Sequence, residues 1–361
     1  MSNSQRVYHT VLRSILPNCP THRITQTHNL AWLITGLFVA AHCQLTRIAP
    51  HLPWDGERDS IIQRLRRVLM NPRLDVRTLY GPTVGYLLHW LNNRERIILV
   101  IDRTTIGNAL NILVVGIAFR GRVLPLAWKV QKKQGSFQLC YVQAALRFVA
   151  RWMPASTHQI WVVGDREYQD VVFQKFVRDT LHWHFVQRLD QSTWIFPSRR
   201  RAFKLKSSGL RRGEFRSFGQ VQVTHQRFGW VELVGYWESD EDEPWYLISA
   251  VKLGREAVVI YRHRFWIEEM FRDFKSYGWN LEASGIQTPS RFERLLLAMA
   301  LAYVWLVKVG VQVVKRGWRP WVDRRAHRTL SYFRLGWNWL NRLLARDQQL
   351  PCPVLAANFE K

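Results

Sequence analysis

The stretch Ile97-Ile98-Leu99-Val100-Ile101-Asp102 places an aspartate directly after a run of apolar, mostly β-branched residues. A second stretch, Ile160-Trp161-Val162-Val163-Gly164-Asp165, repeats this pattern further along the chain. Short apolar runs that end at a polar residue are typical of buried β-strands. Each stretch therefore predicts a buried strand with a carboxylate at its carboxyl end.

The order of the segments around these two strands predicts an α/β fold. A turn at Gly121-Arg122 joins two of the strands into a hairpin. The order β-β-β-α-β-α-β predicts a ribonuclease-H-like mixed sheet whose first three strands are antiparallel. In that fold the first and fourth strands are neighbours, so the carboxylates of Asp102 and Asp165 would lie close together. The predicted segments are strands at 97–101, 112–120 and 123–130, a helix at 137–152, a strand at 160–164, a helix at 168–178 and a strand at 182–187.

The hydrophobic periodicity changes several times along the chain, which predicts a division into domains. A β-rich insertion interrupts the ribonuclease-H-like core, and helical regions precede and follow that core. The expected boundaries are 1–93 for a helical DNA-binding domain, 94–188 for the first part of the core, 189–253 for the insertion, 254–290 for the rest of the core, and 291–361 for a helical C-terminal region.

The helical region before residue 93 has the pattern of a helix-turn-helix. Thr27 could cap a first helix, and a short segment at 45–49 is followed by a basic amphipathic helix at 60–69. In a helix-turn-helix the second helix enters the major groove, which would make Arg64 and Arg67 contacts to DNA. Ordinary packing of three helices would give a similar pattern, so this alternative remains open.

The charge of the chain favours a polyanionic partner. The chain has 361 residues, 47% of them apolar, and a formal net charge of +25. A field of this sign favours nucleic acid, with an anionic membrane surface as the alternative. The basic residues are spread along the whole chain, which favours nucleic acid. The apolar stretches at 30–41 and 295–314 are interpreted as buried helices, and no membrane partner is expected.

The four cysteines, Cys19, Cys43, Cys140 and Cys352, show no metal-binding or disulfide spacing. No signal-peptide pattern is found at the N-terminus. We therefore expect reduced thiols in a cytoplasmic protein.

A third carboxylate, Glu268, lies in a stripe with Tyr261, Arg264 and Lys275. On a single helix from 261 to 275, these four side chains fall within an arc of about 60°. Ordinary exposed charges with i,i+4 pairing would be a simpler interpretation of Arg264 and Glu268. Together with Asp102 and Asp165 in a basic protein, however, Glu268 would complete the carboxylate set that two-metal phosphoryl chemistry requires.

The spacing Tyr261-x2-Arg264-x3-Glu268-x6-Lys275 resembles the signature of the insertion-sequence-4 family of DDE transposases. Asp102 and Asp165 lie in stretches that are similar to the two aspartate motifs of that family. The resemblance covers residues from about 96 to 280. It implies that Asp102, Asp165 and Glu268 are catalytic and bind two Mg²⁺ ions, with Mn²⁺ as a substitute.

The resemblance also implies partners and DNA contacts. The partner would be double-stranded DNA, as transposon ends and as target, with a homodimer in the synaptic complex of a prokaryotic, nucleoid-associated protein. Arg264 and Lys275 would contact phosphates, assisted by Tyr261. Trp245, at the start of the last insertion strand, would stack on a flipped base. The alternative for Trp245 is an aromatic of the sheet core, and its rivals are Trp230, Trp237 and Trp266.

The expected activity is Mg²⁺-dependent DNA nicking and strand transfer, by cut-and-paste transposition through hairpin ends. Two alternatives remain: a ribonuclease-H-like nuclease or resolvase without strand transfer, and an inactive DNA-binding derivative. A tail in which arginines alternate with Trp318, Trp321, Trp337 and Trp339 could bind nucleic acid, cover the core or form a dimer contact.

Overall fold

The computed structural model describes residues 1–18, 24–92, 96–132, 135–157, 159–198 and 201–352. Cys19 lies outside the described residues. The α-helices are α1 (Asn3–Ile15), α2 (Ile24–Ala40), α3 (Leu45–Ile48), α4 (Arg58–Met70), α5 (Val76–Leu91), α6 (Leu139–Ala150), α7 (Val171–Lys175), α8 (Glu256–Arg262), α9 (Phe265–Lys275), α10 (Pro289–Lys315) and α11 (Tyr332–Ala345). The strands are β1 (Ile97–Ile106), β2 (Leu110–Phe119), β3 (Arg122–Gln131), β4 (Ile160–Gly164), β5 (His184–Leu189), β6 (Trp194–Pro197), β7 (Phe203–Lys204), β8 (Phe215–Val223), β9 (Phe228–Tyr236) and β10 (Trp245–Ser249).

The strands form one mixed sheet in the order β3-β2-β1-β4-β5-β10-β9-β8-β6-β7. Strands β1, β2 and β3 are antiparallel neighbours, whereas β1 with β4 and β4 with β5 are parallel. The antiparallel pairing of the first three strands and the neighbouring positions of the first and fourth strands are those that the sequence predicts. The structure thus confirms a mixed α/β fold with a large central sheet.

The β-rich segment continues the same sheet. Strand β10 pairs antiparallel with β5, and β9, β8, β6 and β7 follow outward from it. The alternation of the sequence predicts strands at 218–225, 230–237 and 245–251, which correspond to β8, β9 and β10, and gives no strand at β6 and β7. The two missed strands are short, and such short segments give too little alternation to be recognised.

The position of Asp102 differs from the prediction. Strand β1 continues to Ile106, so Asp102 lies inside the strand, opposite Val114 of β2, instead of at its end. Pairing with β2 holds these additional residues in the extended conformation. On the other side of β1, the parallel pairing with β4 ends at Ile101 and Gly164. Asp102 and Asp165 therefore both follow directly after the last parallel pair.

The N-terminal helices pack against one another. Helix α2 begins before Thr27, which is buried inside the helix at 2% exposure, so the predicted capping role of Thr27 is wrong. Helix α4 buries an apolar face and exposes its basic face. The exposed basic residues of α4 include Arg64, Arg66 and Arg67.

Helix α10 is packed as a core helix. Its length and apolar composition would suffice to cross a membrane. The same is true of the helical segments Ile24–Ala40 and Leu45–His51 if they are counted together as one bent span. Within the protein, however, 83% of the apolar stretch of α10 is buried. Helix α11 crosses it closely at Gly310 and Gly336, where an added Cβ would collide with the carbonyl oxygens of Tyr332 and Leu306. The prediction of a buried helix here is confirmed.

The described cysteines are free thiols. Cys43 is buried, which raises its pKa to about 12, whereas Cys140 and Cys352 are exposed.

A buried ion pair fixes helix α9 against the sheet. The carboxylate of Asp273 is 3% exposed and accepts a hydrogen bond of 2.7 Å from Nε of Arg122, at the start of β3. The hydroxyl of Tyr303 on α10 donates a second hydrogen bond of 3.1 Å to the same carboxylate. Arg122 also pairs with Glu269 at 3.2 Å. Strand β3 and helices α9 and α10 are thereby joined next to Glu268.

We expect the substitution Arg122→Ala to destabilise the protein by about 3–5 kcal/mol, because Asp273 would remain buried without its cation. The measurement is the free energy of unfolding from denaturant titration. Arg272→Ala is the matched control, since this arginine forms a more exposed ion pair with the same Glu269. The control should cost at most about 1 kcal/mol. Equal losses in the two variants would contradict the anchoring role of Arg122.

Candidate active site

The two aspartates are held in equivalent ways. The Oδ1 atom of Asp102 accepts a hydrogen bond of 2.7 Å from the backbone N–H of Arg103. The Oδ1 atom of Asp165 accepts one of 2.7 Å from the backbone N–H of Arg166. Each carboxylate is thus oriented by the residue that follows it, and the parallel register of β1 and β4 places the two side by side.

The stripe that contains Glu268 is not one continuous helix. Helix α8 ends at Arg262 and α9 begins at Phe265, with a tighter turn between them, so the assumption of a single helix is wrong. In this turn the backbone N–H of Arg264 bonds to the carbonyl of Tyr261, three residues earlier, at 2.9 Å. The backbone of the turn stays in the right-handed helical region. Arg264 and Glu268 therefore remain on one side of the chain.

Arg264 joins two of the three predicted catalytic carboxylates. Its Nη1 lies 3.2 Å from Oδ2 of Asp102, and its Nη2 lies 2.6 Å from Oε1 of Glu268. The side chain of Arg264 is 12% exposed, and its guanidinium lies 4.3 Å from the ring centre of Phe265. Ordinary exposed i,i+4 pairing does not describe this contact, because Arg264 is largely buried and also reaches strand β1.

The charges around Asp102 shift its acidity. The pKa of Asp102 is raised to about 6 in total, mainly by burial, while the cation of Arg264 and the N–H of Arg103 act in the opposite direction. The negative charges of Asp165 and Glu268 contribute to this rise. Asp102 therefore interacts electrostatically with both of the other predicted catalytic residues.

The three carboxylates suit divalent cations by their chemistry, since Mg²⁺ prefers oxygen ligands. Their present arrangement is different: among the described residues, no group of three His, Cys, Asp or Glu side chains is placed to hold a metal ion. The guanidinium of Arg264 is bonded to both Asp102 and Glu268. The donor set fits Mg²⁺ because all of its ligand atoms are oxygens. To bind the ion, the oxygens of Asp102 and Glu268 would first have to be released by Arg264.

Two residues that the sequence interpretation did not assign support the aspartates. Arg103 forms a bidentate ion pair with Glu167, which connects β1 to the turn after β4. Tyr168 is buried nearby, and burial raises its pKa well above the usual value. Each lies within three residues of a predicted catalytic aspartate, which is the signal that could have identified them.

Two of the predicted DNA contacts are buried. Tyr261 is fully buried, and burial raises its pKa to about 12. Trp245 is 4% exposed and packs between Tyr236, Tyr261 and Phe265. Trp245 thus has the surroundings of a sheet-core aromatic, the alternative named for it, and Tyr261 has no exposed surface; as DNA contacts both stay predictions. Trp245 is buried because strand β10 lies between β5 and β9 and is also covered by α8.

Among the rival tryptophans of the insertion and of α9, Trp230 is 47% exposed, whereas Trp237 and Trp266 are half-buried.

The remaining basic candidates differ in their surroundings. The Nζ atom of Lys275 donates to the carbonyl of Thr105 at 2.9 Å and pairs with Glu282 at 3.1 Å, so it ties the end of α9 to β1. Arg64 lies 3.9 Å over the ring of Trp54. Arg67 is exposed on the same basic face of α4. Arg64 and Arg67 stay predictions as DNA contacts.

Asp102 gives the site a pH dependence whose sign follows from its raised pKa. The folded value of about 6 lies above the ordinary value of 3.8, so the folded protein retains a proton that the unfolded chain releases in this window. The stabilisation of the folded protein that comes from protonated Asp102 is full below about pH 4 and is lost as the pH rises through 6. We expect a carboxyl NMR resonance that titrates near pH 6 and is missing in Asp102→Asn. An Asp102 resonance that titrates near its ordinary value would contradict this.

Comparison with known proteins gives the following relations. No curated protein matches the sequence. Among solved structures, the chain is similar to the piggyBac transposase in a cryo-EM structure of its synaptic complex with hairpin DNA. The sequence identity is 10% and the TM-score is 0.46, with 98% of this chain and 83% of that chain covered. Residues 141–305, which include Asp165 and Glu268, match the family model described as the transposase DDE domain, and this match supports a DDE transposase.

Proposed function

We propose that this protein is a DNA transposase of the insertion-sequence-4 group that cleaves the ends of its own element and joins them to target DNA. The observation that carries the proposal is that Arg264 bonds to both Asp102 and Glu268, and that the charges of Asp165 and Glu268 both act on Asp102. The match of residues 141–305 to a transposase DDE domain supports it, and the net charge of +25 favours a nucleic-acid partner.

In this proposal the three carboxylates hold two Mg²⁺ ions, for which Mn²⁺ can substitute. When bound, these ions supply activation of the attacking oxygen and stabilisation of the leaving 3′ oxygen. The chain itself orients the carboxylates: backbone N–H groups fix Asp102 and Asp165, and helix α9 presents Glu268. Arg264, which now bonds to Asp102 and Glu268, would exchange these carboxylates for a DNA phosphate.

The same proposal covers the route of transposition and the surfaces that bind DNA. The reaction is cut-and-paste through hairpin ends, carried out in the cytoplasm by a dimer that holds two transposon ends. Strands β6–β10 extend the sheet beyond β5, next to the carboxylates, and would offer a surface for the DNA end. The basic face of α4, with Arg64 and Arg67, would bind DNA outside the active site.

We expect Glu268→Gln to lower DNA cleavage by about 1000-fold, because a lost metal ligand removes several kcal/mol of transition-state stabilisation. The measurement uses the purified protein, Mg²⁺ and DNA duplexes from the sequence that flanks the gene. Denaturing gels would separate nicked, hairpinned and joined products. Glu269→Gln is the matched control, because this neighbouring carboxylate pairs with Arg122 and Arg272 and should retain activity. Full activity of Glu268→Gln would overturn the assignment of Glu268.

The same assay separates the alternatives. A ribonuclease-H-like nuclease or resolvase would give nicks that depend on Glu268, without joined products. If the protein is an inactive derivative, the wild type and Glu268→Gln would both bind the duplexes, and neither would give cleaved or joined products. Hairpinned ends together with joined products would support the cut-and-paste route.

We expect Arg264→Gln to bind Mn²⁺ more tightly than the wild type in the absence of DNA. The reason is that the guanidinium no longer competes for the oxygens of Asp102 and Glu268. Electron paramagnetic resonance of free Mn²⁺ during titration measures this affinity directly. The double variant Arg264→Gln, Glu268→Gln should lose this increase in Mn²⁺ affinity. Unchanged affinity in Arg264→Gln would show that the arginine does not block the site.

A further inference from the structure

The segment between α10 and α11 forms a basic surface around an exposed tryptophan. Trp321 is 59% exposed. Residues 316–328 carry five arginines and one acidic residue, an excess of four positive charges. We call this segment, together with Trp339 and Arg342 of α11, the tryptophan platform.

Stacked indoles support the exposed ring. The ring of Trp339 is 5% exposed; Trp318 stacks on it at 4.8 Å and 14°, and Trp321 at 5.8 Å and 16°. The guanidinium of Arg342 lies 5.4 Å from the centre of the Trp321 ring. Trp321 is therefore held against a buried partner while more than half of its surface remains in solvent.

Hydrogen bonds fix the backbone around this ring. The guanidinium of Arg319 donates to the carbonyls of Arg324 and Arg325. The carboxylate of Asp323 accepts bonds from the N–H of Arg324 at 2.8 Å and from the N–H of Thr329 at 3.0 Å. A platform that is already ordered loses little conformational entropy when a ligand binds.

The cations of the platform are available to a partner. In the part of the chain that the structure describes, the exposed side chains of Arg316, Arg324 and Arg325 form no ion pair. The same platform of a second copy would carry the same charge, which opposes a symmetric contact between two platforms. A partner with regularly spaced negative charges and flat apolar rings fits both features.

We propose that the tryptophan platform binds single-stranded DNA, with a base stacked on Trp321 and phosphates on Arg324 and Arg325. Aromatic rings beside a basic groove are the means by which proteins hold unpaired strands without sequence preference. This inference goes beyond the proposed function, since such a surface would bind a strand whether or not the carboxylates cleave it.

The test measures binding of the full chain in EDTA, so that no cleavage occurs. The probes are a fluorescent oligothymidine of about 12 nucleotides, within the site size of single-strand-binding folds, and a duplex of equal length. Trp321→Ala should weaken oligothymidine binding by about tenfold, in line with the contribution of one stacked base. The variant should leave duplex binding nearly unchanged, and Trp321→Phe should restore most of the affinity.

The controls separate stacking from charge and from misfolding. Tyr141→Ala removes another exposed aromatic ring, on α6, and should leave oligothymidine binding unchanged. Arg324→Gln combined with Arg325→Gln should weaken binding and reduce its dependence on salt concentration. Wild-type affinity of Trp321→Ala for oligothymidine would overturn the proposal. Equal losses for strand and duplex would also overturn it. With phosphatidylserine vesicles as a third probe, a loss confined to vesicle binding would overturn it as well.

Discussion

The parallel register between β1 and β4 is the constraint on which the candidate site depends. The last pair, Ile101 with Gly164, places Asp102 and Asp165 at the same level of the sheet. A shift of one residue would turn one of these side chains to the other face, because successive side chains of a strand alternate between faces. The apolar runs before the two aspartates are buried along their whole length, which makes such a shift costly. The core of the sheet thus determines the geometry of the carboxylates.

The third carboxylate depends on side chains that lie far apart in the sequence. Helix α9 carries Glu268 on its exposed side and Asp273 on its buried side, where Arg122 and Tyr303 hold it against β3 and α10. The anchor acts on the same helix five residues from Glu268, which is less than two helical turns. Any loosening of this buried ion pair would therefore also move Glu268 relative to the two aspartates.

Much of this arrangement could be predicted from the sequence, and the failures have physical causes. The first five strands follow from apolar runs and turns, and the same pattern predicts that Asp102 and Asp165 belong to neighbouring strands, although Asp102 lies inside β1 and not at its end. The burial of Trp245 agrees with the alternative of a sheet-core aromatic, because a continuous apolar run such as that of β10 is typical of a strand covered on both faces, whereas the stacking role came only from the resemblance. The contact of Arg264 with Asp102 joins residues 162 positions apart, which helical periodicity cannot reveal.

The position of Arg264 also suggests how a strongly basic protein tolerates a group of carboxylates. Burial and mutual repulsion oppose ionisation of Asp102, and the guanidinium offsets part of that cost by bonding to Asp102 and Glu268. Under the proposed function, a DNA phosphate would give Arg264 another anion to bind, and its departure would free both carboxylates for cations. Two ligands that displace the same internal contact favour each other's binding, by an equal factor in each direction. DNA and divalent cations would therefore bind this site cooperatively, so that the carboxylates become free for cations when a substrate is present.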